Sequence, residues 1–302
     1  MLPRCIVSGK YYLVTRRCTQ RQFLLRPSVV VNEVIGYCLA EATARHDIEV
    51  IAVMAMSNHY HAVVWDPEGK VTDFYEHFHK MTAKVLNARF GRWENLWAGG
   101  GRVTSLVELV EPQDVVAKVV YALANPVASQ LVAEVRHWPG FDSYRATMLG
   151  KTLTFRRPRW FFSKDGIMPE TAELRFAKPR CFSDLTHEQW RERIARGLDE
   201  QEAKAARVRE TTGRKVLGRR TILKQSWTER PSTPTPRRKL SPRIAARCTA
   251  ARVDAIRRYK EFVARYREAM AKVQAGETDV VFPYGTLRFA RLHLVRVEPP
   301  PA

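Results

Sequence analysis

The stretch MAMSNHYHAVVW, residues 54–65, sets two histidines one residue apart inside an apolar run. Side chains alternate faces along a strand, so His59 and His61 share one face while Tyr60, Ala62 and Val64 share the other. Two imidazoles about 7 Å apart along a strand can converge on one divalent ion, and the alternate apolar positions would anchor the strand in a core. A pair of hydrogen-bonded or surface histidines is the plainer reading of so short a motif.

Outward from this strand the pattern is regular. IEVIAVMAM (48–56) precedes it as a buried strand, and SN (57–58) is turn chemistry, so 48–65 reads as a hairpin. KYYLVTRR (10–17) is rich in aromatic and β-branched residues and reads as a strand. Residues 28–46 carry a helical stripe of Val30, Val34, Ile35, Cys38, Leu39 and Ala42. Residues 71–90 form a second helix, with Phe74, Phe78, Met81, Val85 and Leu86 on one side. VTSLVELV (103–110) is another strand. EPQDVVAKVVYALAN (111–125) starts with proline and acids, as helix N-termini prefer, and Pro126 ends that helix at Asn125. The order β-α-β-β-α-β predicts an α+β, ferredoxin-like antiparallel sheet with helices on one face. His77 and His79 share the spacing of the strand pair but sit on a helix, about 200° apart, and read as surface residues unable to chelate together.

The second half differs in composition. The chain has 302 residues and a formal net charge of +20. Residues 1–150 hold 16 Lys and Arg against 14 Asp and Glu; residues 151–302 hold 35 against 17. A compact domain over 1–150 and a basic, mainly helical extension over 151–302 are expected, and so is a polyanionic partner. The extension has a charged helix over 185–210, a Pro-rich basic linker near 230–242, an amphipathic helix over 251–274 and strand-like alternation at the C-terminus. Five scattered cysteines with no CxxC point to neither a disulfide framework nor a thiolate zinc site. No apolar run reaches the length of a membrane span, and a cytoplasmic, nucleoid-associated protein is expected.

Two motifs then resemble a known family. MSNHYHAVV is similar to the MPNHxH strand of the IS200-like tyrosine transposases, within the HUH endonuclease superfamily. YALANPVASQLV (121–132) resembles the YIxxNPVxAxLV segment of their REP-associated branch, and YYLVTRR and WPGFDSY (138–144) also fit. The resemblance covers roughly 10–145. Ser57 stands where the family has proline, and ALANPVASQ lacks the arginine often found after NPV.

The resemblance implies that His59 and His61 bind a catalytic Mg²⁺ or Mn²⁺, that Asn125 is a third ligand and that Tyr121 is the nucleophile. It implies a single-stranded DNA endonuclease and strand transferase that forms a 5′-phosphotyrosine link near a DNA hairpin, acting as monomer or homodimer. The residues expected to touch DNA are Arg16, Arg17, Arg102, Lys118, Arg156, Arg157, Arg159, Arg219, Arg220, Arg237 and Arg238, with Trp160, Phe161 and Phe162 as stacking platforms or as a local core. The competing readings are a domesticated DNA- or RNA-binding regulator that no longer cuts, and a metal hydrolase using water. A chain cut near residue 150 is expected to fold and to bind DNA weakly.

Overall fold

In the computed structural model, β1 (Lys10–Arg17), α1 (Val29–His46), β2 (Glu49–Met56), β3 (His59–Asp66), α2 (Val71–Phe90) and β4 (Ser105–Leu109) follow the expected order. The structure describes residues 4–99, 104–234 and 242–300. Arg102, Arg237 and Arg238 lie outside these residues. The sheet order is β2-β3-β1-β4-β7, antiparallel among the first four strands. That is the ferredoxin-like arrangement. β1 sits centrally, paired with β3 along its whole length and with β4 over residues 11–15.

The sheet has two packed faces. On one, Tyr12, Val14, Val53, Tyr60, Ala62 and Val64 meet α1 and α2. On the other, Leu13, Met54, Val63, Val107 and Leu109 meet α3 (Pro112–Leu123) and the short α4 (Asn125–Ala128). Glu111 and Asp114 form a capping box at the start of α3, with Pro112 in its first turn. Pro126 does not end the helical path. It occupies the first turn of α4, where its missing N–H costs nothing.

Residues 138–143 close the β2 edge. Ala55 N–H donates to Phe141 O at 2.8 Å, Trp138 Nε1 to Ala55 O at 3.0 Å and Ser143 N–H to Val53 O at 2.9 Å. An open edge strand would otherwise invite pairing with another chain. α5 (Tyr144–Leu149) follows.

Beyond 150 the chain folds back on the first half. The hairpin of β5 (Leu153–Arg156) and β6 (Thr171–Leu174) packs on α1, where Phe155 fills the space left open by Gly36. α6 (His187–Thr212) buries Trp190, Ile194 and Leu198 in the same core as Val119, Val120 and Leu123. α7 (Arg219–Lys224) adds Ile222 to it. After the basic linker, β7 (Ile244–Ala245) pairs parallel with β4. α8 (Thr249–Gln274) and β8 (Val281–Phe282) follow.

The C-terminal stretch departs from its strand-like alternation. Residues Leu287–His293 form α9, before the short β9 (Arg296–Val297). On a helix Arg288 and Arg291 share a face, and both reach α2: Arg288 Nε donates to Asp73 Oδ1 at 3.0 Å and its Nη1 to Glu76 Oε1 at 2.6 Å, while Arg291 ion-pairs with Asp73. These tertiary ion pairs and Leu287 against Gly69 outweigh the local alternation.

His79 corrects a sequence expectation. It is 2% exposed. Arg16 donates to its Nδ1 at 2.8 Å, which leaves the proton on Nε2 to donate to Tyr60 Oη at 2.6 Å. Burial, with Arg16 and Arg4 adding, pushes its pKa well below the usual histidine value. The helix turns His77 the other way, where its Nε2 hydrogen-bonds the buried Glu41 of α1. The two do face apart, but into tertiary contacts, because α2 is covered on both flanks.

Candidate active site on the second sheet face

His59 and His61 project from β3 on the face opposite α1 and α2, as alternation requires. The register sets Thr15 beside His61 and Arg17 beside His59. Thr15 Oγ1 lies 2.8 Å from His61 Nδ1, and Asn125 Nδ2 lies 3.2 Å from His61 Nε2. An amide nitrogen only donates, so His61 Nε2 accepts and its proton sits on Nδ1, donated to Thr15. His59 Nδ1 is 2.7 Å from Asn58 Oδ1, a pure acceptor, so His59 too carries its proton on Nδ1. Both imidazoles therefore keep an Nε2 lone pair, that of His61 accepting from Asn125, with ring centroids 4.9 Å apart.

Both imidazoles are held neutral. Burial pushes His59 down to about 4, with the Arg17 charge adding. Burial pushes His61 down to about 3, helped by His59 and the Lys118 ammonium. Neutral imidazoles with their second nitrogen fixed by a hydrogen bond are the form that binds metals.

Tyr121 on α3 is 46% exposed, and its ring centroid is 5.2 Å from that of His61. Lys118, one turn earlier, sets its ammonium 5.3 Å from the Tyr121 ring centroid. Asn125 opens α4, so the turn at Ala124 keeps it near His61 and still within a helical turn of Tyr121. His59, His61, Tyr121, Asn125 and Lys118 thus come together, with Arg17 at the rim.

The donor set fits a weakly held divalent ion. Each imidazole keeps an Nε2 lone pair, and the Asn125 amide, which donates to that of His61, would release it and offer its oxygen on turning about its last torsion. No cluster of three or more His, Cys, Asp or Glu that could hold a metal occurs among the described residues. Without a carboxylate the set suits Mn²⁺ or Mg²⁺ only with further oxygen ligands from water or substrate.

The other expected DNA contacts scatter. Arg16 lies on the opposite sheet face, half-buried between His79 and Trp97. Arg157 donates to Met168 O at 2.7 Å and Lys164 O at 2.9 Å, pinning its own loop. Arg159 pairs with Glu170 at 2.6 Å. Arg156, Arg219 and Arg220 are exposed. Phe161 and Phe162 pack on the main core, Phe162 5.6 Å from the Tyr37 ring, whereas Trp160 is 51% exposed. A cavity of about 630 Å³ between β1, β4 and α8 contains none of the site residues. At the histidine site His61 is buried and Tyr121 half-exposed.

Sequence reasoning missed Thr15 and the role of Asn58. Asn58 stands next to His59 and carries turn chemistry, which was a usable signal. Thr15 becomes a partner of His61 only through the β1–β3 register.

No family model matches the chain, and no curated protein matches it. Several solved structures do. One is a REP-associated tyrosine transposase bound to a REP hairpin, with 16% identity and a TM-score of 0.42 over 60% of this chain and 95% of that one. Another is a protein from Deinococcus radiodurans described as a transposase, with 17% identity and a TM-score of 0.28 over 35% of this chain and 84% of that one.

Proposed function

We propose that the chain cuts and rejoins single-stranded DNA through Tyr121. The observation that carries this reading is the half-exposed Tyr121 ring 5.2 Å from that of His61, one of two adjacent neutral imidazoles on the same sheet face. Tyr121 Oη attacks a backbone phosphorus and loses its proton as the new P–O bond forms. The P–O3′ bond breaks, and the leaving 3′ oxygen takes up a proton. The 5′ end stays on Tyr121 as a phosphotyrosine, which keeps the bond energy for rejoining to an incoming 3′-hydroxyl. Lys118, beside the ring, offsets the charge of the approaching phosphate.

His59, His61 and Asn125 would hold Mg²⁺ or Mn²⁺, which when bound polarises the phosphate oxygens and stabilises charge on the leaving oxygen. Asn58 and Thr15 hold the Nδ1 sides of the two imidazoles in advance. A hairpin flanked by unpaired DNA is the target that the motif resemblance implies.

The test is incubation of end-labelled hairpin DNA carrying single-stranded flanks with the full chain and Mn²⁺, run on a denaturing gel. A covalent protein–DNA adduct is expected. Cleavage without an adduct would indicate a water-using hydrolase, and binding without cleavage a regulator; either overturns the reading.

A further inference from the structure

A second polar cavity lies where α5, β6 and α6 meet, with a volume of about 220 Å³. Its walls carry Lys151, Arg175, Lys178, His187 and Arg191 and no carboxylate. Lys178 is committed, since its ammonium caps the carbonyls of Phe182 and Leu185. Lys151, Arg175 and Arg191 are in no ion pair among the described residues. The floor is rigid: Trp190 is 3% exposed and stacks on Phe182 at 5.5 Å. Cations gathered without counter-charge repel one another. An oxyanion relieves this, accepting from the guanidinium forks of Arg175 and Arg191.

We propose that this cavity is a phosphate-oxyanion site. Its place in the fold favours a backbone phosphate of the bound strand. α6 crosses α3 at Gly197, where the added Cβ would come within 2.6 Å of Val120, next to Tyr121. His187 is ten residues earlier on the same helix, about 15 Å away at 1.5 Å per residue. A strand engaged at Tyr121 covers that distance in roughly four or five nucleotides at about 3.4 Å each. The proposal rests on the DNA reading only for the source of the phosphate; the site itself stands on its own residues.

The test compares three full-length chains: the unaltered one, Arg175→Gln/Arg191→Gln, and a control pair on exposed α6 and loop positions, Arg207→Gln/Arg214→Gln. Thermal unfolding is followed with inorganic phosphate against chloride at constant ionic strength. Phosphate should stabilise the unaltered and control chains and stabilise the cavity variant by less than half as much. Equal stabilisation of all three overturns the proposal. Single-stranded oligonucleotide binding across a salt series then separates the sources. A log–log salt slope shallower by about 1.4 in the cavity variant, two contacts at about 0.7 each, and unchanged in the control identifies backbone phosphate. An unchanged slope beside lost phosphate stabilisation identifies a free phosphate oxyanion instead. If the double variant misfolds by circular dichroism, the exposed single change Arg175→Gln decides by the same criteria. No readout uses Tyr121, so a failure to cut DNA leaves this test intact.

Discussion

At the scale of single residues, the site depends on which ring nitrogen carries the proton. Asn125 and Asn58 decide that for His61 and His59, and Thr15 holds the His61 Nδ1 side of the ring. Thr15→Val keeps the shape but removes the acceptor, freeing the His61 ring to turn. Manganese-dependent cleavage should then need about 10–100-fold more metal while the melting temperature barely moves. Tyr121→Phe should abolish the covalent adduct while leaving oligonucleotide binding in a filter assay within about twofold, since only the hydroxyl goes. Chelation with EDTA should stop cleavage, Mn²⁺ should restore it, and His59→Ala or His61→Ala should resist restoration. Cleavage by either alanine variant in chelator would remove the metal from the reaction.

His79 makes a residue-scale prediction about pH. Its folded pKa lies well below the unfolded value of about 6.5. Below pH 6.5 the unfolded chain binds a proton that the folded chain refuses, so stability is complete above that pH and falls as the solution is acidified. His79→Gln should lower stability at neutral pH by breaking the Arg16–His79–Tyr60 chain of hydrogen bonds. It should also flatten the acid limb: unfolding at pH 5 should take up about one proton fewer. Urea melts between pH 5 and 7.5 measure both effects, and an unchanged acid slope would contradict the buried neutral imidazole.

At the scale of elements, α3 carries Tyr121 and is held from both sides. The sheet supports it through Val115, Val119 and Leu123, and α6 covers it through Ile194 and Leu198. Gly197 permits the close crossing, since a methyl group there would overlap Val120. Gly197→Val should therefore push the helices apart and cost about 1–3 kcal/mol, seen as a lower urea midpoint. Cleavage should fall further than stability does, because Val120 adjoins Tyr121. An unaltered midpoint would mean that α6 does not press on α3.

At the scale of the whole molecule, the basic second half is built into the first. Trp190, Ile194, Leu198 and Ile222 lie in the core that α3 shares, and β7 extends the sheet beside β4. Each of these four side chains is worth about 1.5–3 kcal/mol on burial, so together they rival the stability of an ordinary domain, about 5–15 kcal/mol. A chain cut after Gly150 should consequently fail to fold, contrary to the expectation from its near-neutral composition. Circular dichroism and size-exclusion chromatography of residues 1–150 check this; a monodisperse, cooperatively melting fragment would show the halves to be independent.

The amino-acid sequence by itself determined the six-element order, the strand that carries His59 and His61, and the pairing of Tyr121 with Asn125 one turn apart. Those are local facts: a period of two or of 3.6 residues is written in neighbouring positions. The tertiary structure alone decided which side chains meet across that local order. Thr15 reaches His61 only through strand register, His79 is buried because Arg16 and Tyr60 come from two other strands, and α9 is a helix because Asp73 and Glu76 await its arginines. The same holds for the second half, whose charge is legible in composition but whose docking is not. A charged helix reads as solvated until a partner face appears, and the apolar stripe of Trp190, Ile194 and Leu198 finds its partner some seventy residues away, on α3.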